Sequence, residues 1–173
     1  QIQPHFLYNS IFLIYRMAQM DENEPIADYA EHLGKYYQYI ARVSDRKVKI
    51  SQEIEHIRNY LAIQETRFGG RIRAFLGEVP PELADAKLMP LTLQPLVENA
   101  YEHGMKNRVR DGEVHIKMHF EDSIFYFTVE DNGPGMTAEE LARVKKRMEE
   151  GRIEEEEIHA LSNTNIRLKL HYG

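Results

Sequence analysis

The sequence contains no cysteine, which excludes a disulfide framework and a zinc site built on thiolates. It has no stretch near the roughly 18 apolar residues that a membrane-spanning helix requires. It also lacks a basic segment followed by an apolar stretch and a small-residue cleavage site, the pattern of a secretory signal. Basic residues are in deficit, and a net charge of −6 argues against a nucleic-acid partner. The absence of cysteine fits a cytosolic location.

What remains is the composition of an ordinary globular protein, with 42% apolar and 29% charged residues among 173. An apolar helical pattern starts almost at Gln1, and the chain stops at Gly173 without a closing element. We interpret it as an internal fragment of a longer protein, in which any membrane segment would lie outside this chain.

The first part of the chain predicts a helical hairpin. Apolar residues recur at spacings of three and four from Leu7 to Ala18, and Pro4 suits the first turn of such a helix. Residues 21–25 break the pattern, and a second apolar stripe runs from Ile26 to Ala41. Two helices cannot hide this much apolar surface from water. We therefore expect a second copy of the hairpin, which gives a dimeric four-helix bundle.

The rest of the chain predicts an α+β domain reached through a connecting helix. Ser51 suits the N-cap of that helix, and Gly69 and Gly70 should end it. Segments in which apolar and polar residues alternate predict three strands, at 71–79, 114–120 and 123–130. Three further helices are predicted at 93–103, after Thr137 and at 163–170. The expected division is a hairpin at 1–45, a connecting helix at 46–67 and the α+β domain at 68–173.

A glycine-rich loop follows the last predicted strand, at Asp131–Gly135. Gly133 and Gly135 would let the backbone turn sharply against a ligand. Asp131, at the strand terminus, would be a good acceptor for an exocyclic amine such as that of adenine. The alternative is a plain turn, since aspartate, asparagine, glycine and proline all favour turns.

Asn99 and His103 are four residues apart on a predicted helix, so both should lie on one helix face. An amide oxygen suits Mg²⁺, which takes oxygen ligands and completes its shell with water and phosphates. The imidazole of His103 could then reach a phosphate oxygen. The alternative is that Asn99 is an ordinary solvated residue and that His103 is stabilised by the dipole at the end of the helix.

His5 lies in the predicted first turn of the first helix, where a side chain is accessible to solvent. Neutral imidazole near pH 7 is a competent nucleophile. Asn9 lies one turn further along and could orient the ring. An ordinary surface histidine is the alternative.

In this order the three segments resemble the LytS/YesM-type sensor histidine kinases. Residues 3–9 are similar to the phosphoacceptor box of that family, 94–104 to its N box and 131–135 to its first glycine box. Further matches lie between and after these boxes, at Glu53, 59–61, Gln64, 67–69 and 167–173. The resemblance implies a helical hairpin followed by a Bergerat-fold α/β sandwich that lacks its terminal strands in this chain.

The resemblance also implies ATP and Mg²⁺ as cofactors, with the chain on the cytoplasmic side of a cell-membrane protein. Asp131 would bind the adenine amine, and the two glycines of its loop would let that loop close. Asn99 would hold Mg²⁺, assisted by His103. His5 would attack the γ-phosphate. The implied partners are a second copy of the chain and a response regulator whose aspartate receives the phosphoryl group.

A further motif of the family is only partly matched. The second glycine box falls on 158–163, where Leu161 and Asn163 match and would bind nucleotide, but Ile158 and Ala160 replace both glycines. Those glycines let backbone amides come close to the phosphates, so their replacement predicts weaker binding of the nucleotide. It supports an alternative function, in which a degenerate kinase acts as a dimeric scaffold or as a phosphatase toward its regulator.

Hydrolytic ATPases of the gyrase, chaperone and mismatch-repair type resemble the chain in the same asparagine and glycine boxes. Their water-activating glutamate lies four residues before the magnesium asparagine, and Pro95 stands at that position here. Glu98 adjoins Asn99 instead and should face another side of the helix. The sequence therefore favours a kinase over a hydrolase.

Overall fold

A computed structural model describes residues 4–20, 23–42, 46–83 and 85–150, with side chains from Phe6 onward in the first helix, from Pro25 in the second and to Lys146 in the last. The helices are α1 (Pro4–Gln19), α2 (Asn23–Arg42), α3 (Ile50–Phe68), α4 (Gln94–Asn99) and α5 (Ala138–Glu150). The strands are β1 (Val48–Lys49), β2 (Ile72–Leu76), β3 (Lys87–Leu88), β4 (Gly112–Glu121) and β5 (Ile124–Asp131). The predicted α+β class is confirmed.

The predicted hairpin of helices is confirmed as α1 and α2, although α2 begins at Asn23, earlier than expected. Both helices bury aromatic and apolar side chains on their inner sides: Phe6, Met17, Tyr29, Leu33 and Tyr36. The outer side of α1 exposes more than half of each of four large apolar side chains: Tyr8, Ile11, Phe12 and Tyr15.

The connecting helix α3 differs from the prediction at its start. It begins at Ile50, and the backbone amide of Lys49 donates to the side-chain oxygen of Gln52 (3.0 Å), so the expected Ser51 N-cap is wrong. Its end is as predicted, because Gly69 adopts a left-handed conformation (φ 56°) that favours glycine. Ile57 and Ile63 of this helix are fully buried, so α3 lies at the centre of the core.

The main sheet has the order β2-β4-β5, with β2 parallel to β4 and β4 antiparallel to β5. The β4–β5 hairpin confirms the prediction. Its turn, at Asp122 and Ser123, has positive φ at both residues (49° and 65°), as tight hairpins require. On the inner face Ile72, Val114 and Ile116 are buried, so the sheet closes one side of the core.

Two short strands were missed from the sequence. β1 pairs antiparallel with β3, where Val48 lies opposite Leu88 and Lys49 opposite Lys87. The segment ending at Lys49 reads as a polar connection because a two-residue strand is too short to show periodicity. The helix expected at 163–170 lies outside the described residues.

Candidate functional site

The helix that carries Asn99 widens at its end. α4 passes directly into a π-helical turn over Ala100–Gly104, in which the Met105 amide donates to the Ala100 carbonyl at 3.0 Å, five residues back. Such turns are rare and occur frequently at functional sites. Asn99, the last residue of α4, is half-buried, and His103 in the π-helical turn is exposed. The two predicted residues therefore flank the change in helical geometry.

Asp131 is the last residue of β5, and its carboxylate organises the glycine loop. One oxygen, Oδ1, accepts a hydrogen bond from the Gly133 amide at 2.9 Å. A carboxylate offers about four acceptor positions, so Asp131 keeps capacity for a further donor. Gly135 adopts φ 69°, a left-handed conformation that L side chains rarely occupy. The predicted loop thus has the backbone freedom expected of a ligand-binding segment.

Gly104 brings the helix end and the glycine loop into direct contact. A Cβ atom added to Gly104 would overlap the carboxylate of Asp131. One added to Gly133 would lie 2.5 Å from the Gly104 carbonyl oxygen and 2.6 Å from its Cα. Only glycine allows this approach, which joins two motifs separated by some thirty positions in the sequence. Gly104 was not predicted as a site residue, because nothing local indicates what it touches.

Asn132 anchors the loop to β4 and was also missed. Its Oδ1 accepts from the Glu113 amide, and its Nδ2 donates to the Asp111 carbonyl, both at 2.9 Å. Asparagine in a glycine-rich loop indicates only a turn. Its partners lie about twenty positions earlier, so no local pattern reveals them.

Glu98, next to Asn99, faces the helical hairpin. Its Oε1 accepts from the Tyr36 hydroxyl at 3.3 Å and from Gln94 Nε2 at 3.2 Å. Burial raises the pKa of this carboxyl. Its engagement with α2 agrees with the expectation that Glu98 points to another side of the helix from a catalytic position.

His5 lies in the first turn of α1, as predicted, and Asn9 one turn later is half-buried. The neighbouring Phe6 is buried, with its ring centroid 5.1 Å from Tyr36 and 5.8 Å from Tyr60. Tyr60 in turn meets Tyr101 of the π-helical turn edge-on at 5.7 Å. A continuous aromatic cluster therefore joins the start of α1 to the helix of Asn99.

The sequence predicts that Asn99 holds a magnesium ion carried by a nucleotide. Mg²⁺ commonly binds through one or two protein oxygens and fills its remaining positions with phosphate and water. Within the described residues, no group of three histidine, cysteine, aspartate or glutamate side chains could hold a metal by itself. A single amide oxygen at Asn99 is the kind of ligand that such a shared site uses. Leu161 and Asn163, also predicted at the nucleotide, lie outside the described residues.

None of the helices in the described parts of the chain is long and apolar enough to cross a membrane.

Two family models match successive parts of the sequence. The family described as "Histidine kinase" matches residues 1–72. The family described as "Histidine kinase-, DNA gyrase B-, and HSP90-like ATPase" matches residues 84–172, more than half of the chain. The second profile covers α4, the π-helical turn and the glycine loop.

Curated relatives match most of this chain. It is 34% identical to the Sensor histidine kinase YesM of Bacillus subtilis over 79% of the chain. It is 32% identical to the Sensor histidine kinase BtsS of Escherichia coli over 76%, and 33% identical to the Sensor protein LytS of Oceanobacillus iheyensis over 78%. The matched region is 23% of the length of each of these three relatives.

Proposed function

Because the chain belongs to the LytS/YesM-type sensor histidine kinases, we propose that it phosphorylates His5 with ATP and passes the phosphoryl group to an aspartate of a response regulator. The observation that carries this proposal is the close approach of Gly104 to Asp131 and Gly133. It unites the helix of Asn99 with the glycine loop, so one nucleotide could bridge both. We propose further that the chain acts on the cytoplasmic side of a membrane sensor.

The residues of the site divide between the two ends of the nucleotide. Asp131 would accept a hydrogen bond from the adenine amine while it keeps the Gly133 amide, and Gly135 would let the loop close. Asn99 would hold Mg²⁺, which supplies charge neutralisation for the phosphates. The exposed imidazole of His103 would donate to a phosphate oxygen. Leu161 and Asn163 would complete the nucleotide pocket.

The reaction at His5 needs a neutral imidazole. The unprotonated ring nitrogen attacks the γ-phosphorus in line, a P–N bond forms, and the bond from phosphorus to the ADP oxygen breaks with its electrons leaving on ADP. The cationic ring then loses the proton of its other nitrogen. Asn9, one turn along α1, would orient the ring. Phosphoryl transfer depends mainly on positioning and charge neutralisation, so few further groups are required.

The exposed side of α1 supports a homodimer. Tyr8, Ile11, Phe12 and Tyr15 expose 55 to 74% of their surface in the single chain and recur at helical spacing. A continuous apolar stripe of this kind usually marks an interaction site. We propose that a second copy covers it, which gives the four-helix bundle expected from the sequence.

A second function has one specific observation in its favour, the replacement of both glycines of the second glycine box by Ile158 and Ala160. Side chains there would hold backbone amides away from phosphate. A chain impaired in this way would act as a scaffold or as a phosphatase toward its regulator.

The two functions are separated by incubating the chain with Mg²⁺ and γ-labelled ATP and examining the stability of the label. Phosphohistidine is labile in acid and stable in base. We expect such a label on the chain and none on His5→Gln, while His119→Gln, at an exposed position on β4, should label normally. If the unaltered chain binds an ATP analogue but takes no label, the scaffold function is favoured.

A further inference from the structure

Two tyrosines on one side of α2 each donate a hydrogen bond to a carboxylate outside the hairpin. The Tyr36 hydroxyl donates to Glu98 of α4 at 3.3 Å, and the Tyr39 hydroxyl donates to Oε2 of Glu53 of α3 at 2.8 Å. The tyrosines are three residues apart, so both lie on the same helix face. We call these four residues the tyrosine clamp.

Glu53 extends the clamp to the start of α4. Its side chain is fully buried, and its two oxygens accept the backbone amides of Leu91 and Leu93, each at 2.9 Å. Leu91 has φ 55°, a conformation that a leucine rarely adopts without support. Since α4 begins at Gln94, Glu53 fixes the backbone from which the helix of Asn99 starts.

His56 holds the two tyrosine rings at a fixed spacing. Its imidazole is stacked between them, 4.7 Å from the Tyr36 ring and 4.3 Å from the Tyr39 ring, and only 2% of the residue is exposed. Tyr36 also packs against Phe6, the residue after His5. One ring therefore contacts the neighbour of His5, while its hydroxyl contacts the neighbour of Asn99.

We propose that Tyr36 and Tyr39 are positioning residues for phosphoryl transfer, which hold the hairpin against the helix of Asn99. The inference rests on the proposed function. Neither tyrosine belongs to the nucleotide site formed by α4 and the glycine loop, so loss of the clamp should leave ATP binding intact. Transfer to His5 requires both parts in register, so it should become slower.

The test compares autophosphorylation kinetics of Tyr36→Phe, Tyr39→Phe and the double variant, all of which keep the aromatic rings. A hydrogen bond from a neutral hydroxyl to a charged carboxylate is stronger than one between two neutral groups. We expect kcat of the double variant to fall about tenfold, the equivalent of about 1.4 kcal/mol in the barrier, with the KM for ATP unchanged. Thermal unfolding should verify that each variant is folded.

Tyr37→Phe is the matched control. It lies on the same helix, its ring is 5.3 Å from that of Tyr36, and its buried hydroxyl has no hydrogen-bond partner among the described residues. This variant should retain the kcat of the unaltered chain. An equal fall in kcat for Tyr37→Phe, which removes a hydroxyl without a carboxylate partner among the described residues, would mean that the hydroxyl-to-carboxylate hydrogen bonds of the clamp do not set the rate.

The remaining outcomes are distinguishable. If the unaltered chain labels on His5 and the double variant labels equally fast, the clamp is refuted and the proposed function stands. A faster double variant would show that the contacts restrain transfer, which contradicts the proposal. A raised KM for ATP with constant kcat would show that the contacts act on nucleotide binding, which also contradicts it. If the unaltered chain takes no label, the proposed function fails, and the positioning role fails with it.

Discussion

His56 should make the protein sensitive to acid. Its imidazole is buried between two tyrosine rings, and neither ring nitrogen has a hydrogen-bond partner in the parts of the chain that the structure describes. Burial of the charged form is unfavourable, which lowers the pKa of His56 from 6.5 to about 4. The folded chain thus keeps His56 neutral at a pH where the unfolded chain protonates it.

The direction and size of the effect follow from proton linkage. Above pH 6.5 His56 is neutral in both states, and its contribution to stability is fully present. Below that pH His56 is protonated in the unfolded state but stays neutral in the folded state until the pH approaches 4. The free energy of unfolding therefore falls as the pH is lowered. Each pH unit in this window costs about 1.4 kcal/mol, and lowering the pH from 6.5 to 5 should remove about 2 kcal/mol.

The assay is urea unfolding of the unaltered chain and of His56→Phe at pH 7 and pH 5, at one fixed protein concentration because a dimer adds a concentration dependence. Phenylalanine keeps an aromatic ring between the tyrosines but cannot titrate. Carboxylates that titrate in acid are common to both proteins and cancel in the difference. The free energy of unfolding of the variant, relative to the unaltered chain, should therefore rise by about 2 kcal/mol between pH 7 and pH 5.

An unchanged difference between the two proteins at pH 7 and pH 5 would refute this reasoning. It would mean that His56 protonates in place, for example with water bound to its ring nitrogens, and that the packing around it is looser than the structure shows.

Four further substitutions test the site and the dimer. Asp131→Asn keeps an oxygen for the Gly133 amide but turns an NH₂ donor toward the adenine amine. Calorimetric titration should therefore show about tenfold weaker binding of an ATP analogue. Unchanged affinity would contradict the role of Asp131. Gly133→Ala forces a methyl group against the Gly104 backbone, whereas Gly135→Ala meets open space and only the left-handed strain of about 1–2 kcal/mol. The first should therefore weaken the same titration more, and the reverse order would contradict the close approach. Phe12→Asp places a charge on the exposed stripe of α1 and should convert dimer to monomer in sedimentation equilibrium, and an unchanged mass would locate the dimer interface elsewhere.

The elements with strong periodicity were predictable. The α1–α2 hairpin and the β4–β5 hairpin follow from apolar spacings of three to four and of two, and Gly69 ends α3 because it takes a left-handed conformation. The N-cap of α3 was predicted two residues late, at Ser51 instead of Lys49. Lysine is not a preferred N-cap residue, so nothing at Lys49 indicates that the helix begins there, although Gln52 accepts a hydrogen bond from its backbone amide.

The contacts that create the site were not predictable. Gly104 approaches the glycine loop only because the sheet places β5 beside the end of α4, and the π-helical turn leaves no pattern in the sequence. The tyrosine clamp was equally hidden. Tyr36 and Glu98 are 62 positions apart, and the sequence of α2 does not indicate which element its tyrosines contact. Motif order supplies the candidate residues, whereas long-range packing determines how they meet.

The most direct test of the central claim is to locate the phosphoryl group by peptide mass spectrometry at alkaline pH, after incubation of the chain with Mg²⁺ and ATP. The account predicts one phosphorylated peptide, from the start of α1, with the group on His5, and none from His5→Gln. Phosphate on another histidine, or on the chain after His5→Gln, would contradict it.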